Sequence, residues 1–186
     1  MILRITAFLT LTASYLFAAD DKLEWKSLPD LPGGFGVAGP FAGTHNDTLI
    51  IAGGANFPDG VPWRPTADGG TSAKVYYDTI HVVTKDGADY SIAEAKAKLP
   101  QVLGYGVSIS TTDGVLCIGG EWRKDGVTHR SAKVFAVSLA DGQVVVDENY
   151  PPLPEATTAA AGALVGLALF SMILGRLLER HRDTVL

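Results

Sequence analysis

The chain has a single cysteine, no basic cluster in its middle and, between its two ends, no stretch of sustained 3.6-residue periodicity. Each shortage excludes something. Cys117 has no partner for an intrachain disulfide, so the body is not disulfide-stapled. Within the apolar run Val115-Leu-Cys-Ile118 it reads as a small buried hydrophobe. A net charge of −5 without a Lys/Arg patch argues against nucleic acid as a partner. None of His45, His81, His129 and His181 falls at a metal-ligand spacing, so no metal is expected. The missing helical period leaves an all-β body.

The two ends are the exceptions. Met1-Ile-Leu-Arg4 is a short positive stretch, followed by an apolar run to Phe17, then Ala18-Ala19 and the abrupt switch to Asp20-Asp21. That order predicts an export signal over residues 1–19, with cleavage after Ala19 or retention as an N-terminal anchor. From Ala156 to Gly175 there is no charge, and Arg176-Leu-Leu-Glu-Arg-His-Arg182 follows. About 20 apolar helical residues span a hydrocarbon core, and basic residues behind them suit a cytoplasmic flank. The expectation is a hydrophobic, membrane-spanning helix over 156–178, helical from about Ala159, with a basic tail at 179–186. The body would then lie outside the cytoplasm, anchored through that helix.

Residues 20–155 repeat. Leu31-Pro32, Leu99-Pro100 and Leu153-Pro154 each open a unit. In the first, Gly36-Val-Ala-Gly39 leads to the turn Asn46-Asp47, the strand Leu49-Ile-Ile51 and the doublet Gly53-Gly54. In the second, Gly104-Tyr-Gly-Val107 leads to Thr112-Asp113-Gly114, Val115-Leu-Cys-Ile118 and Gly119-Gly120. Each doublet precedes a polar loop and a further strand pair, through Lys74-Val-Tyr-Tyr77 in one case and Ser131-Ala-Lys-Val134 in the other. Four strands with Gly-Gly after the second make a kelch-type propeller blade. The glycines allow a turn where neighbouring blades crowd the backbone and a Cβ would collide. The predicted fold is all-β: a partial kelch propeller of two four-stranded antiparallel blades plus the C-terminal helix. The third unit repeats the opening up to Gly166, then loses the Asp turn and the Gly-Gly. Closure takes at least about four blades.

The stretches "FGVAGPFAGTHNDTLIIAGGANFPDG", "YYDTIHVV", "LPQVLGYGVSIS" and "IGGEWRKDGVTHRSAKVF" resemble the sialic acid mutarotases, or N-acetylneuraminate epimerases, from about Trp25 to Gly166. The resemblance is to the cyclically permuted members of these exported six-bladed kelch propellers. It implies interconversion of the α and β anomers of sialic acid (N-acetylneuraminate), with no cofactor. Opening and reclosing the hemiketal needs a group for the anomeric hydroxyl proton, a donor to the ring oxygen and a cation for the carboxylate. The family's proton acceptor is a Glu after a glycine in a blade loop, with an Arg shortly behind. The matching stretch is Gly120-Glu121-Trp-Arg123, with Arg130 further along. This makes Glu121 the catalytic candidate and Arg123 and Arg130 the substrate-binding candidates. Two other readings stand beside it. Glu121 is a solvated or arginine-paired loop carboxylate, or it is the equivalent of an acting Glu carried by a blade beyond Gly166. Trp63 and Trp122 can stack on a sugar face or cap a blade edge.

Three accounts of the whole chain follow. It is an epimerase relative whose two blades do not reach an enzyme-like rate, or reach it only by self-association that completes a ring. It is a membrane-anchored, non-enzymatic module that binds carbohydrate or protein. Or its reading frame is disrupted after Gly166.

Overall fold

The computed structural model describes residues 25–34, 36–165 and 168–172, so the export signal expected over 1–19 lies outside the described residues. All its regular structure is β. The first unit runs β1 (Phe41–His45), β2 (Thr48–Ala52), a short pair β3 (Ala55–Asn56) and β4 (Val75–Tyr76), then β5 (Thr79–Asp86) and β6 (Asp89–Lys98). The second runs β7 (Val107–Thr111), β8 (Gly114–Ile118), the hairpin β9 (Glu121–Lys124) and β10 (Val127–Arg130), then β11 (Val134–Ala140) and β12 (Gln143–Asp147). Each forms a four-stranded antiparallel sheet, in spatial order β1-β2-β5-β6 and β7-β8-β11-β12. These are the two predicted blades. The Ala- and Lys-rich stretch 91–98 is extended within β6, with alternate residues half-buried.

Strand alternation decides where the core lies. Phe41, Ile50 and Ile80 of the first blade meet Val115, Cys117, Phe135 and Val137 of the second. Phe41 and Phe135 cross edge to face at 5.6 Å. Each fully buried large side chain here contributes roughly 1.5–3 kcal/mol. Burial pushes the Cys117 thiol far above its ordinary value, which fits the inert hydrophobe expected. The other face of β8, Leu116 and Ile118, packs with Val107 and Ile109 against Leu153 and Ala160 of the third unit. Seryl hydroxyls of β7 satisfy the free amides of β1: Ala42 N–H donates to Ser108 Oγ at 3.0 Å and Thr44 N–H to Ser110 Oγ at 2.9 Å.

The glycine doublets occupy equivalent places and do equivalent work. Gly53 and Gly119 have φ of 66° and 67°. A Cβ on Gly53 would lie 2.3 Å from the Leu103 carbonyl oxygen, and one on Gly119 2.5 Å from that of Thr157. The next residue binds that same carbonyl: Gly54 N–H donates to Leu103 O at 2.7 Å, Gly120 N–H to Thr157 O at 2.8 Å. Each doublet therefore fastens its blade to the following unit. Just upstream of β1 and β7, the structure shifts the expected register by two residues. It matches Gly39 with Tyr105 and Ala38 with Gly104, because the strands begin at 41 and 107. Gly39, Tyr105 and Ala159 all take positive φ, at 59°, 58° and 51°. Tyr105 N–H donates to Gly39 O and Ala159 N–H to Tyr105 O, at 2.7 and 2.8 Å.

The third unit corrects the helix expected from 156–178. Ala161–Val165 (β13) and Ala168–Met172 (β14) pair as antiparallel strands, so the blade pattern continues past Gly166. Alanine and leucine favour helix only weakly, and tertiary packing overrides them. At Gly162 the seam against β7 leaves no room for a side chain: a Cβ there would sit 2.6 Å from Val107 Cγ1. Residues 173–186, including the basic tail, lie outside the described residues. Among the described residues no helix is long and apolar enough to cross a membrane.

Gly53→Ala and Gly119→Ala should each destabilise the protein by more than about 2 kcal/mol, from positive φ plus a backbone collision. Gly87 and Gly142 also have positive φ but open space around them. Their alanine variants should cost only about 1 kcal/mol, the low end of the left-handed penalty for an L residue. Urea unfolding midpoints of the four variants test the difference.

Candidate functional site

The β3–β4 insertion and the β9–β10 hairpin both leave their sheets just after a glycine doublet, so they project from the same end of the two blades. Glu121 opens β9. Its backbone exchanges two hydrogen bonds with Gly104, Glu121 N–H to Gly104 O at 2.7 Å and the reverse at 3.0 Å. The equivalent first-blade residue, Ala55, exchanges the same pair with Ala38. Only the second blade carries a carboxylate at this place.

That carboxylate is held from both sides. The Tyr76 hydroxyl donates to Glu121 Oε1 at 2.5 Å from the first blade's insertion. Thr158 Oγ1 lies 3.2 Å from Glu121 Oε2 and 3.2 Å from Tyr105 O, so its one proton serves two acceptors. Three consecutive units thus converge on Glu121. Burial, then the hydrogen bond to Glu121, drives the Tyr76 hydroxyl far above the ordinary tyrosine range; the Arg123 charge weakly opposes this.

Glu121 is therefore neither a freely solvated carboxylate nor an arginine-paired one: among the described residues its side chain forms no ion pair. Arg130 is directly opposite Glu121 in the β9–β10 ladder, yet both Arg130 and Arg123 are exposed. Arg123 Nε donates to Gly126 O of its own turn at 3.1 Å. Trp122 is stacked on His129 at 4.7 Å and packs on the inter-blade core, so it acts as part of the blade edge. Trp63 is 76% exposed. It lines an open groove of about 520 Å³ with Phe57, Pro62 and Tyr105. Tyr105 is shared between this groove and the carboxylate cluster, its ring edge-on to Tyr76 at 6.2 Å.

Lys74, Tyr76 and Thr158 were not singled out from sequence. A signal for the first two existed, since alternation along the Lys74-Val-Tyr76 stretch puts Lys74 and Tyr76 on one face. Thr158 reaches the site only through blade stacking, which has no local signature. A larger depression, about 600 Å³, lies at the opposite end among Thr44, His45, Asn46, Asp47, Thr111 and Thr112. It lacks comparable chemistry: His45 Nδ1 is occupied in accepting the Leu139 amide at 3.0 Å. No group of side chains suited to a metal ion occurs among the described residues.

A family profile described as N-acetylneuraminate epimerase matches residues 9–146. The chain belongs to the N-acetylneuraminate epimerase family. Curated epimerases are 39% identical over 110 residues in Yersinia pestis (strain Pestoides F) and 34% identical over 140 residues in Brucella suis. These alignments cover 53% and 70% of this chain, but 26% and 34% of those proteins. The chain thus spans about a quarter to a third of the curated relatives it matches. The solved structure of YjhT superposes with a TM-score of 0.51 at 30% identity, covering 68% of this chain and 35% of that one. The fold is a partial kelch-type propeller. In this member of the epimerase family, Glu121 sits where two blades and the start of a third meet.

The Tyr76 proton gives a pH test. Its folded pKa is raised above the ordinary value of 10.0, so the folded state holds the proton more tightly than the unfolded state does. The resulting stability is complete below pH 10.0 and is lost as pH climbs through the raised folded value. Unfolding free energy should fall above that pH in the parent protein. In Tyr76→Phe that part of the alkaline slope should vanish, measured by urea unfolding at successive pH values.

Proposed function

We propose that the end of the blades carrying Glu121 is a sialic-acid-facing wall of a mutarotase-type site, at which the α and β anomers of N-acetylneuraminate interconvert. What supports this reading is the chain's membership of a family whose curated members are named for that epimerisation, together with the held carboxylate of Glu121. Its carboxylate is fixed by Tyr76 and Thr158 beside an open aromatic groove. The chemistry asks little. Glu121 takes the anomeric hydroxyl proton while the ring C–O bond breaks, and a solvent water gives the ring oxygen its proton. The open ketone then turns and recloses on its other face, the attacking hydroxyl losing its proton to solvent and Glu121 returning its proton to the former carbonyl oxygen. Phe57, Tyr105 and Trp63 offer apolar faces for the sugar.

Two blades supply one wall. Positioning from several sides provides much of an enzyme's rate, so this chain alone should accelerate exchange only slightly. A ring completed by further copies would raise the rate with protein concentration.

Exchange spectroscopy on N-acetylneuraminate measures this directly. The expected result is a small acceleration over buffer that disappears in Glu121→Gln. Acceleration that persists in Glu121→Gln would remove Glu121 from the chemistry. A titration with N-acetylneuraminate that leaves the resonances of Tyr76, Tyr105 and Trp63 unmoved would overturn the site.

A further inference from the structure

We infer that Lys74, rather than Arg123 or Arg130, is the cation that receives the carboxylate of an acidic sugar at this site; the inference rests on the sialic-acid reading. Lys74 immediately precedes β4 and lies two residues before Tyr76, whose ring its ammonium faces. The Lys74 ammonium is 4.5 Å from the Tyr105 ring centroid, 5.6 Å from that of Tyr76 and 6.0 Å from that of Phe57. Among the described residues it makes no ion pair. Aromatic faces attract a cation through their quadrupole without neutralising it. The ammonium is therefore held in place with its charge still available to an anion.

The substrate's geometry picks out this cation. In a 2-keto acid hemiketal, the carboxylate and the anomeric hydroxyl sit on the same carbon. The cation and the base must then flank a single point. Tyr76 joins the two groups here: its ring faces the Lys74 ammonium and its hydroxyl binds Glu121 Oε1 at 2.5 Å. The Arg123 charge also reaches the Tyr76 hydroxyl, but its Nε is committed to Gly126 O, its side chain is exposed and it faces no ring of the aromatic groove. Arg130 is exposed at the end of β10. Lys74 also stands beside Tyr105, which lines the groove, so a sugar lying along the groove would bring an acidic end to it.

The test compares a charged ligand with a neutral one. N-acetylneuraminate and its methyl ester are titrated by NMR into the full chain and into Lys74→Met, Lys74→Arg and Arg123→Gln. Lys74 is only half-buried, so its replacement should leave the blades folded, and retained shift dispersion of the core resonances checks that. The expected result is about tenfold or greater weakening of the acid in Lys74→Met, the scale of a lost charge-assisted contact. The ester should be unchanged, Lys74→Arg should recover part of the loss, and Arg123→Gln should bind the acid normally. Equal weakening of acid and ester in Lys74→Met, or loss of the acid in Arg123→Gln alone, would overturn the assignment to Lys74. Failure of the unaltered chain to bind either sugar would instead overturn the sialic-acid reading, and the assignment with it.

Discussion

One contact governs the architecture: the carbonyl of the incoming unit pressed against the glycine doublet of the blade before it. Leu103 O reaches Gly54 N–H, and Thr157 O reaches Gly120 N–H, at 2.7 and 2.8 Å. Neither approach tolerates a side chain at Gly53 or Gly119, where a Cβ would stand 2.3 or 2.5 Å from the same oxygen. The spacing between blades is thus set by backbone against backbone, and side chains then fill what remains. Phe41 and Phe135 meet across that fixed gap, and the seryl hydroxyls of β7 reach the free amides of β1 across it.

The same contact builds the site. Because Gly120 is locked to the third unit, the next residue, Glu121, is delivered within reach of Thr158. Because Glu121 also exchanges backbone bonds with Gly104, its orientation is fixed by the opening of its own blade. The insertion after Gly53-Gly54 then brings Tyr76 across from the first blade. The carboxylate is held by a junction between units, so its position depends on blade stacking as much as on its own loop.

Most of the fold was legible because the signals were periodic and local. Two glycine doublets, each between an Asp turn and a strand pair, carried the blade count and order. The register of the opening residues was not legible, since glycine at 36 and 104 invited a match that the strand starts at 41 and 107 refuse. The third unit was misread for a different reason. Ala161–Met172 has the composition of a helix, but it pairs as two strands, and Gly162 serves close approach to Val107 and Ile109. Glu121 was reached only through the family resemblance, by the match of Gly120-Glu121-Trp-Arg123. Alternation pairs Tyr76 with Lys74, but nothing local joins Tyr76 or Thr158 to Glu121, which they meet from 45 and 37 residues away only in the folded chain.

The unequal covering of the two equivalent strands β2 and β8 has a dynamic consequence. β8 is buried along its whole length, with blade core on one face and the third unit on the other. In β2, Leu49 and Ile51 are only half-buried. Local opening follows the thinner covering. Amide hydrogens of Val115 to Ile118 should therefore exchange with solvent only through global unfolding, while those of Leu49 and Ile51 escape through smaller fluctuations. Protection then forms a gradient that peaks at the second blade and declines toward the first.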